Sequence, residues 1–308
     1  MDRAFIFPGQ ASQYVGMGQD LYEKYDLARK YFDKANEVMN LDLKKICFEG
    51  PEDDLKQTFI TQPAIYVHST IVYNLMRLEG RVPLAVAGHS LGEYSALVAA
   101  ESISFEDGLK LVKKRSELMH KAGQEKPGTM AALIGMNPDQ VNELCDKLYS
   151  KGIIQPANFN CPGQIAVSGD RHVILDAINV AKEMGAKMAV ELVVSGAFHS
   201  PLMQSAAEGL REELNATVFK NTTIPFYSNV DANPTQDSAK IKELLLKQLT
   251  SPVLWQNLTE NMIRDGYREF YEVGPGNVLK GLLKRINRSV SCDTVGKITE
   301  LEKSEGEA

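Results

Sequence analysis

The chain has 308 residues, with 34 Lys and Arg against 40 Asp and Glu, and its net charge of −6 argues against a general nucleic-acid-binding protein. Its length suits one large domain or two smaller ones, its 44% hydrophobic content is ordinary for a globular protein, and we expect neither a membrane span nor a signal peptide. Four scattered cysteines without a Cys-x-x-Cys pair predict reduced thiols in a cytoplasmic protein, not a metal site.

The N-terminal part of the chain predicts a buried strand followed by helices. An apolar run at 4–7 favours the strand, and a glycine-containing loop at 10–18 follows it, where the backbone could approach a ligand closely. Helices are expected at 20–39 and from Pro63 onward, and His68 falls on the apolar stripe of the second helix. We therefore interpret His68 as a core histidine that makes a local hydrogen bond.

The stretch Gly88-His89-Ser90-Leu91-Gly92 contains Gly-x-Ser-x-Gly, the pattern of a nucleophile elbow. An apolar run at 84–87 predicts the strand before it, and helix-forming residues at 93–100 predict the helix after it. In this setting the serine hydroxyl is exposed at the tip of a tight turn, and the helix N-terminus points partial positive charge at an oxyanion. We therefore predict that Ser90 is a catalytic nucleophile.

The helix predicted at 104–121 carries an arginine in the middle of its apolar face. Leu111 and Met119 share that face with Arg115. A guanidinium that points toward the core needs an anionic partner. Two interpretations stay open at this point, an internal salt bridge with a carboxylate and a pocket that holds a carboxylate ligand.

Residues 125–196 change pattern and predict four strands and two helices in the order βαββαβ. That order is typical of a ferredoxin-like arrangement. We therefore expect a small domain at 125–196, inserted into a large catalytic domain that is formed by 1–124 and 197–308.

The large domain resumes with a histidine just before a predicted helix. Ser200 caps this helix, and the dipole at its N-terminus disfavours a charged imidazole at His199. A strand is then expected at 225–230. The Gly-Pro-Gly at 274–276 is interpreted as a turn because it lacks the spacing of a phosphate loop, and the polar tail from 299 is expected to fray.

A nucleophilic serine needs a base, and histidine is the usual one. His199 is the best placed of the five histidines, because the others lie in a core stripe, on a charged helix face, in a turn of the small domain or beside the nucleophile itself. No acid between Ser90 and His199 stands out as an orienting group, so a backbone carbonyl could hold the imidazole instead.

Several motifs together resemble those of the malonyl-CoA:acyl carrier protein transacylase family, and the resemblance covers nearly the whole chain in order. The motifs are Phe7-Pro8-Gly9-Gln10, Gly88-His89-Ser90-Leu91-Gly92-Glu93-Tyr94, Arg115, Gly196-Ala197-Phe198-His199-Ser200, and Gln248-Leu249 with Pro252-Val253. The resemblance implies an α/β fold, with an α/β-hydrolase-like core around a parallel sheet and a ferredoxin-like insertion. It also implies malonyl transfer for fatty acid elongation without a cofactor, since the coenzyme A thioester is a substrate.

The resemblance implies a role for each catalytic position. Ser90 would attack the malonyl thioester, and His199 would act first as general base and then as general acid. The backbone carbonyl of Gln248 would orient the imidazole. The backbone N–H groups of Gln10 and Leu91 would form the oxyanion hole.

The resemblance also implies the substrate contacts. Arg115 would bind the malonyl carboxylate as a bidentate partner. Phe198 would crowd a methyl group on the α-carbon, as in malonyl-type and not methylmalonyl-type transferases. Met119, Asn160 and Asn277 are further predicted contacts, the two asparagines as loop amides that touch the pantetheine or the nucleotide.

Malonyl-CoA and acyl carrier protein are the implied partners of a monomeric protein that binds neither nucleic acid nor membrane. Carrier proteins are acidic, so docking is expected at a cluster of cations near the C-terminal helix and the small domain. These cations are Lys280, Lys284, Arg285 and Arg288, with Lys182 and Lys187. Three alternatives stay open: a polyketide-pathway acyltransferase, a serine esterase or thioesterase, and a non-catalytic module that binds acyl carrier protein.

Overall fold

The computed structural model describes residues 3–303 of the chain and contains two β-sheets. The strands are β1 (Arg3–Phe7), β2 (Ala85–Gly88), β3 (Gly128–Ile134), β4 (Ile154–Cys161), β5 (Gln164–Asp170), β6 (Met188–Glu191), β7 (Phe226–Tyr227), β8 (Pro234–Thr235), β9 (Glu269–Val273) and β10 (Ser291–Val295). The α-helices are α1 (Gln19–Lys24), α2 (Asp26–Met39), α3 (Leu43–Glu49), α4 (Glu52–Leu55), α5 (Thr58–Leu78), α6 (Gly92–Ala99), α7 (Phe105–Glu125), α8 (Pro138–Leu148), α9 (Arg171–Glu183), α10 (Gln204–Ala216), α11 (Ser238–Gln248), α12 (Trp255–Arg264), α13 (Val278–Ile286) and α14 (Ile298–Lys303). None of these helices is both long and apolar enough to cross a membrane.

The larger sheet has six strands in the order β10-β9-β1-β2-β7-β8. Its first five strands run parallel to one another, and β8 pairs with β7 in the antiparallel sense. Alternate residues of β1 enter different cores, since Phe5 and Phe7 pack into one hydrophobic cluster while Ala4 and Ile6 pack into another. A parallel strand buried on both faces is expected in a layered α/β fold, and the predicted mixed α/β class is confirmed.

The loops that follow β1 and β2 meet at one edge of this sheet. The two strands are adjacent, with Phe7 paired to Gly88. Just beyond the paired residues, the His89 N–H donates to the Phe7 carbonyl oxygen at 2.9 Å. The predicted elbow and the loop that contains Gln10 therefore share this edge, where sites of open α/β sheets are usually found.

The smaller sheet has four antiparallel strands in the order β4-β5-β3-β6 and packs against α8 and α9. Its strand β4 is also bonded to the loop before α12, because the Phe159 N–H donates to the Val253 carbonyl at 2.9 Å and the Val253 N–H donates to the Ala157 carbonyl at 2.8 Å. Gln155 Nε2 donates to the His199 carbonyl oxygen at 2.7 Å. These bonds fix the smaller sheet beside His199.

The single helix predicted at 20–39 is wrong, because the chain forms two helices there. Tyr25 separates α1 from α2 and is extended, with φ of −115° and ψ of 127°. The break allows Tyr22 to pack edge-on against Phe32 and Phe48, with ring centroids 6.0 and 5.5 Å apart. Tertiary packing of these aromatic rings thus overrides a locally helical sequence.

The frayed end predicted from residue 299 is wrong for 299–303, and residues 304–308 lie outside the described part of the chain. Leu301 of α14 is buried, and the Glu300 carboxylate accepts the Gly296 N–H at 2.8 Å. The preceding strand β10, which was not predicted, extends the larger sheet by pairing with β9. Conversely, the strand expected at 225–230 is limited to the two residues of β7.

His68 lies in the core as predicted. No hydrogen bond of ordinary geometry reaches its ring nitrogens among residues 3–303, but the backbone of Gly296 adjoins the ring and acts on it as a weak hydrogen-bond partner. Burial lowers the pKa of His68 to about 4, so the ring is neutral at neutral pH.

Candidate active site

The elbow between β2 and α6 places Ser90 in the left-handed region, with φ of +51°. Its two glycines are needed for close approach. A Cβ on Gly88 would lie 1.9 Å from the carbonyl carbon of Gly92, and one on Gly92 would lie 2.1 Å from the carbonyl oxygen of Phe7. The strand–turn–helix context predicted from the sequence is confirmed, and the N-terminus of α6 adjoins the serine.

His199 lies within hydrogen-bonding distance of the elbow serine. Its Nε2 is 2.9 Å from Ser90 Oγ, and its Nδ1 is 2.8 Å from the carbonyl oxygen of Gln248. Because a carbonyl oxygen can only accept, Nδ1 carries the proton and Nε2 can accept one. Within the described residues a backbone carbonyl, and not an acid, is the group that orients the ring.

The surroundings of His199 keep its imidazole neutral. Burial, with the charge of Arg115 as a smaller contribution, lowers the pKa of His199 to about 3, although the bond to the Gln248 carbonyl opposes the shift. The sequence suggested a helix dipole as the cause, but residues Pro201–Met203 form a short 3₁₀ turn before α10. Burial is therefore the main reason that this ring is a neutral base.

Arg115 is buried on α7 and reaches the same hydroxyl. Its Nη2 donates to Ser90 Oγ at 3.0 Å and to Gln248 Oε1 at 2.9 Å. Its Nη1 donates to Gln62 Oε1 at 2.5 Å. The guanidinium carbon also lies 5.7 Å from the centroid of the Tyr94 ring. Two glutamine amides and an aromatic face thus hold the guanidinium beside the serine.

No carboxylate among residues 3–303 contacts the guanidinium of Arg115. None of its hydrogen bonds goes to an Asp or Glu of residues 3–303, so the alternative of an internal salt bridge is wrong. Its Nε–H is buried without a hydrogen-bond partner in the same range. A buried guanidinium without an anionic contact is costly, and this arrangement favours a pocket for a carboxylate ligand.

The residues predicted for the oxyanion hole, Gln10 and Leu91, lie on the two loops that meet at the elbow. A Cβ on Gly9 would lie 2.5 Å from the His89 carbonyl oxygen, so the loop after β1 touches the elbow directly. Neither the Gln10 N–H nor the Leu91 N–H donates a hydrogen bond to any residue that the structure describes. Leu91 immediately precedes α6, where the helix dipole favours negative charge. Within the described residues both N–H groups therefore lack an internal acceptor, which is what the predicted oxyanion hole requires.

Met119 and Phe198 are both buried next to residues of this cluster. The Met119 sulfur is 3.5 Å from Nε2 of Gln62, the same amide that holds Arg115. Phe198 directly precedes His199 and packs in the largest hydrophobic cluster. Met119 therefore adjoins the arginine, and Phe198 adjoins the histidine.

The two predicted asparagines differ in position. Asn160 Oδ1 is 2.9 Å from His89 Nε2, which places Asn160 beside the elbow. Asn277 is exposed at the start of α13 and forms no hydrogen bond to the cluster around Ser90 within the described range.

The N-terminus of α13, which follows the Gly-Pro-Gly turn, is occupied by a carboxylate. Glu272 accepts the Leu279 and Lys280 N–H groups at 3.0 and 2.8 Å. These donors are therefore not free to bind a phosphate.

Three further side chains of the site, Gln62, Glu93 and Asn229, were not predicted. Asn229 accepts the Ser90 N–H through Oδ1 and donates through Nδ2 to the Gly88 carbonyl, both at 2.7 Å, so it spans the elbow. Its only sequence signal is its position after β7, the strand beside β2. Glu93 belongs to the quoted elbow motif, but nothing local shows that it is buried, and Gln62 carries no signal.

Proteins of known family are similar to this chain over nearly its whole length. The acyl transferase domain family matches residues 4–304. A malonyl CoA-acyl carrier protein transacylase of Bacillus subtilis (strain 168) is 44% identical over 300 residues, which cover 97% of this chain and 95% of that protein. The crystal structure of an acyl-carrier-protein-S-malonyltransferase from Bartonella henselae is similar with a TM-score of 0.96 at 40% identity, covering 99% of this chain and 98% of that one. A malonyl-transacylase solved in complex with a type II PKS acyl-carrier protein is also similar, with a TM-score of 0.96, 35% identity and full coverage of both chains (100% each). The chain therefore belongs to the acyl transferase domain family, among the malonyl CoA-acyl carrier protein transacylases.

Proposed function

We propose that this protein transfers the malonyl group of malonyl-CoA to the phosphopantetheine thiol of acyl carrier protein and so supplies fatty acid elongation. The observation that carries the proposal is the convergence of a neutral base and a carboxylate-binding cation on one hydroxyl. His199 Nε2 lies 2.9 Å and Arg115 Nη2 lies 3.0 Å from Ser90 Oγ. Such a pair can activate the serine and bind the free carboxylate of a malonyl group in the same site.

In the first half-reaction, His199 Nε2 takes the Ser90 proton as Oγ attacks the thioester carbon. The negative charge that develops on the thioester oxygen is stabilised by the N–H groups of Gln10 and Leu91. The carbon–sulfur bond then breaks, the malonyl group stays on Oγ as an ester, and His199 returns the proton to the leaving coenzyme A sulfur. The second half-reaction repeats these steps in reverse with the carrier-protein thiol as nucleophile.

Arg115 favours a transferase over the alternative of a thioesterase. A charge-assisted pair with the malonyl carboxylate selects malonyl over acetyl and holds the acyl group in place against attack by water. The complete set of nucleophile, base and cation also argues against a non-catalytic carrier-binding module. No cofactor takes part in this proposal, and cytoplasmic location and a monomeric state stay predictions.

We further assign the two sheets to two domains. The larger one would be α/β-hydrolase-like and comprise 1–124 and 197–308, and the smaller one would be a ferredoxin-like insertion at 125–196. The strand order β4-β5-β3-β6 with both helices on one face supports the second assignment.

Initial-rate kinetics test the two-step character of the reaction. With malonyl-CoA varied at several fixed concentrations of carrier protein, we expect parallel double-reciprocal lines, because coenzyme A leaves before the carrier protein reacts. Converging lines would show that both substrates must be bound together and would contradict the ester intermediate.

The predicted basic patch on α13 is available only in part. Arg285 Nη1 donates to Gln164 Oε1 at 2.6 Å and so connects α13 to the β4–β5 hairpin. Lys284 and Arg288 are exposed and have no ion pair among the described residues. The other predicted members, all exposed, are Lys280, Lys182 and Lys187. Within the cluster at the C-terminal helix, where Lys280 lies 3.9 Å from Asp293, we assign carrier-protein docking to Lys284 and Arg288 in particular.

Charge reversal tests this assignment. The double variant Lys284→Glu, Arg288→Glu is expected to lower kcat/KM for carrier protein roughly tenfold at low salt, with a smaller defect at high salt. Acylation of Ser90 by malonyl-CoA should stay near normal. The control is Lys30→Glu, Lys45→Glu, which reverses two exposed cations on α2 and α3. If this double variant uses carrier protein as well as the wild type does at low salt, Lys284 and Arg288 are not part of the docking site.

A further inference from the structure

A buried carboxyl lies beneath the elbow and is not used by the proposed reaction. Glu93, in the first turn of α6, is fully buried. Its Oε1 accepts the Asn229 N–H at 2.6 Å, and its Oε2 accepts from Gln248 Nε2 at 2.5 Å. It forms no salt bridge with any Lys or Arg in the described range, so its two partners are amide donors on two other elements of the fold.

The Gln248 side chain has one orientation that satisfies all its neighbours. Its Oε1 faces a donor, Nη2 of Arg115, at 2.9 Å. Its Nε2 faces three acceptors, the Ser90 carbonyl oxygen at 2.9 Å, Glu93 Oε2 at 2.5 Å and, more distantly, Asn229 Oδ1 at 3.4 Å. A flipped amide would direct its NH₂ group at the guanidinium and its oxygen at three other oxygens, which is unfavourable on every side. The Glu93 carboxyl makes the shortest of these contacts and, with the Ser90 carbonyl, fixes the orientation in which Gln248 can accept from Arg115.

We propose that Glu93 is a positioning residue for malonyl selection, which acts through the Gln248 amide on the guanidinium of Arg115. The inference rests on the proposed function and deepens it, since it names what holds the carboxylate-binding arginine in place. Gln62 holds the other arm of the guanidinium, so loss of the Gln248 contact leaves Nη2 of Arg115 with the reacting hydroxyl of Ser90 as its one remaining hydrogen-bond partner among the described residues. Recognition of a carboxylate by a planar fork depends on that orientation.

The contact between Glu93 and Gln248 forms in either charge state of the carboxyl. Burial raises the pKa of this carboxyl to about 8, while its hydrogen bonds and the Arg115 charge oppose the rise. Both the ionised and the protonated carboxyl keep a lone pair on the oxygen that faces Gln248. An amide nitrogen at that place has no lone pair to offer, so replacement of one atom is enough to break the contact.

The substitution Glu93→Gln makes this one-atom change. The oxygen of the new amide can still accept the Asn229 N–H, which preserves the support of the elbow, while its NH₂ group faces the Gln248 NH₂ group. We expect the ratio of malonyl to acetyl transfer to fall roughly tenfold, as for loss of one charge-assisted contact. The rate at which Ser90 reacts with a neutral ester such as p-nitrophenyl acetate should change less than threefold, which is about 0.6 kcal/mol.

A double-mutant cycle separates positioning from a general structural effect. If Glu93 acts through Arg115, then Glu93→Gln should not change the malonyl-to-acetyl ratio any further in the Arg115→Ala background. The matched control is Glu272→Gln, which alters another fully buried carboxyl that accepts two backbone N–H groups, at α13. This control should lower the melting temperature without moving the ratio.

Three results would overturn the inference: an unchanged ratio in Glu93→Gln, an equal loss for malonyl and acetyl, or a further fall of the ratio in the Arg115→Ala background. If Glu93→Gln does not fold, Gln248→Met tests the contact through which Glu93 would act, because it keeps the backbone carbonyl that holds His199 and removes the side-chain contact to Arg115. In that variant too, the ratio must fall. Failure of the wild type to form a malonyl ester, or an unchanged ratio in Arg115→Ala alone, would instead count against the proposed function.

Discussion

Replacing His199 by alanine is expected to slow malonyl transfer roughly 10²- to 10⁴-fold, the usual contribution of a general base. The base is lost, but Arg115 and the oxyanion donors remain, so KM for malonyl-CoA should change much less than kcat. The control is His172→Ala, since His172 is exposed on α9, where its Nε2 lies 3.1 Å from the Lys151 carbonyl oxygen. Steady-state kinetics of both variants check the expectation, and a His199→Ala enzyme with more than a tenth of wild-type kcat would contradict the assignment of the base.

The low pKa of His199 also predicts an unusual pH profile. Only the neutral imidazole can accept the serine proton, so the acylation rate should fall as the pH drops through the folded-state pKa of about 3, far below the 6.5 of a free histidine. The acid limb of this pH–rate profile can be measured with a neutral ester, whose reaction with Ser90 involves no malonyl carboxylate. Since the Arg115 charge contributes to the lowering, Arg115→Ala should move the limb to higher pH. An acid limb near pH 6.5 in the wild type would refute the buried neutral base.

Replacing Arg115 by alanine is expected to reduce the malonyl-to-acetyl ratio by roughly 10- to 100-fold, because a charge-assisted bidentate pair contributes on the order of 1.5–3 kcal/mol. Malonyl transfer should be lost while acetyl transfer rises in relative terms. Arg115→Lys should restore only part of the selectivity, since an ammonium lacks the planar fork. Competition between the two coenzyme A esters measures the ratio directly.

The control for this series is Arg211→Ala, which removes an exposed arginine from α10. It should leave the ratio at the wild-type value. If Arg115→Ala also keeps the wild-type ratio, Arg115 does not bind the malonyl carboxylate, and its buried position needs another explanation.

Local patterns predicted the parts of the site that depend on short stretches of chain. The sequence predicts the elbow because the two glycines, the serine and the flanking strand and helix lie within a few residues of one another. It also singles out Arg115, because a charge on an apolar helix face is unusual. The contact between His199 and the Gln248 carbonyl followed only from the family resemblance, since nothing in the local sequence of α11 indicates which carbonyl faces the ring.

The rest of the site depends on contacts that no local pattern encodes. Glu93 meets Gln248 across 155 positions of sequence, and Asn229 meets Ser90 across 139. A buried glutamate in a helical stretch looks like a surface residue until the fold covers it. The same reason explains the errors in the fold, where aromatic packing breaks the helix at Tyr25 and pairing with β9 orders the polar segment of β10.

Transfer through a malonyl ester of Ser90 is the central claim, and intact-protein mass spectrometry tests it most directly. After mixing with malonyl-CoA, the wild type should gain one malonyl group, located on the peptide that contains Ser90, and acyl carrier protein should then remove it. Ser90→Ala should gain none and should transfer none. Full transfer activity in Ser90→Ala, or a malonyl group that carrier protein cannot remove, would contradict the account.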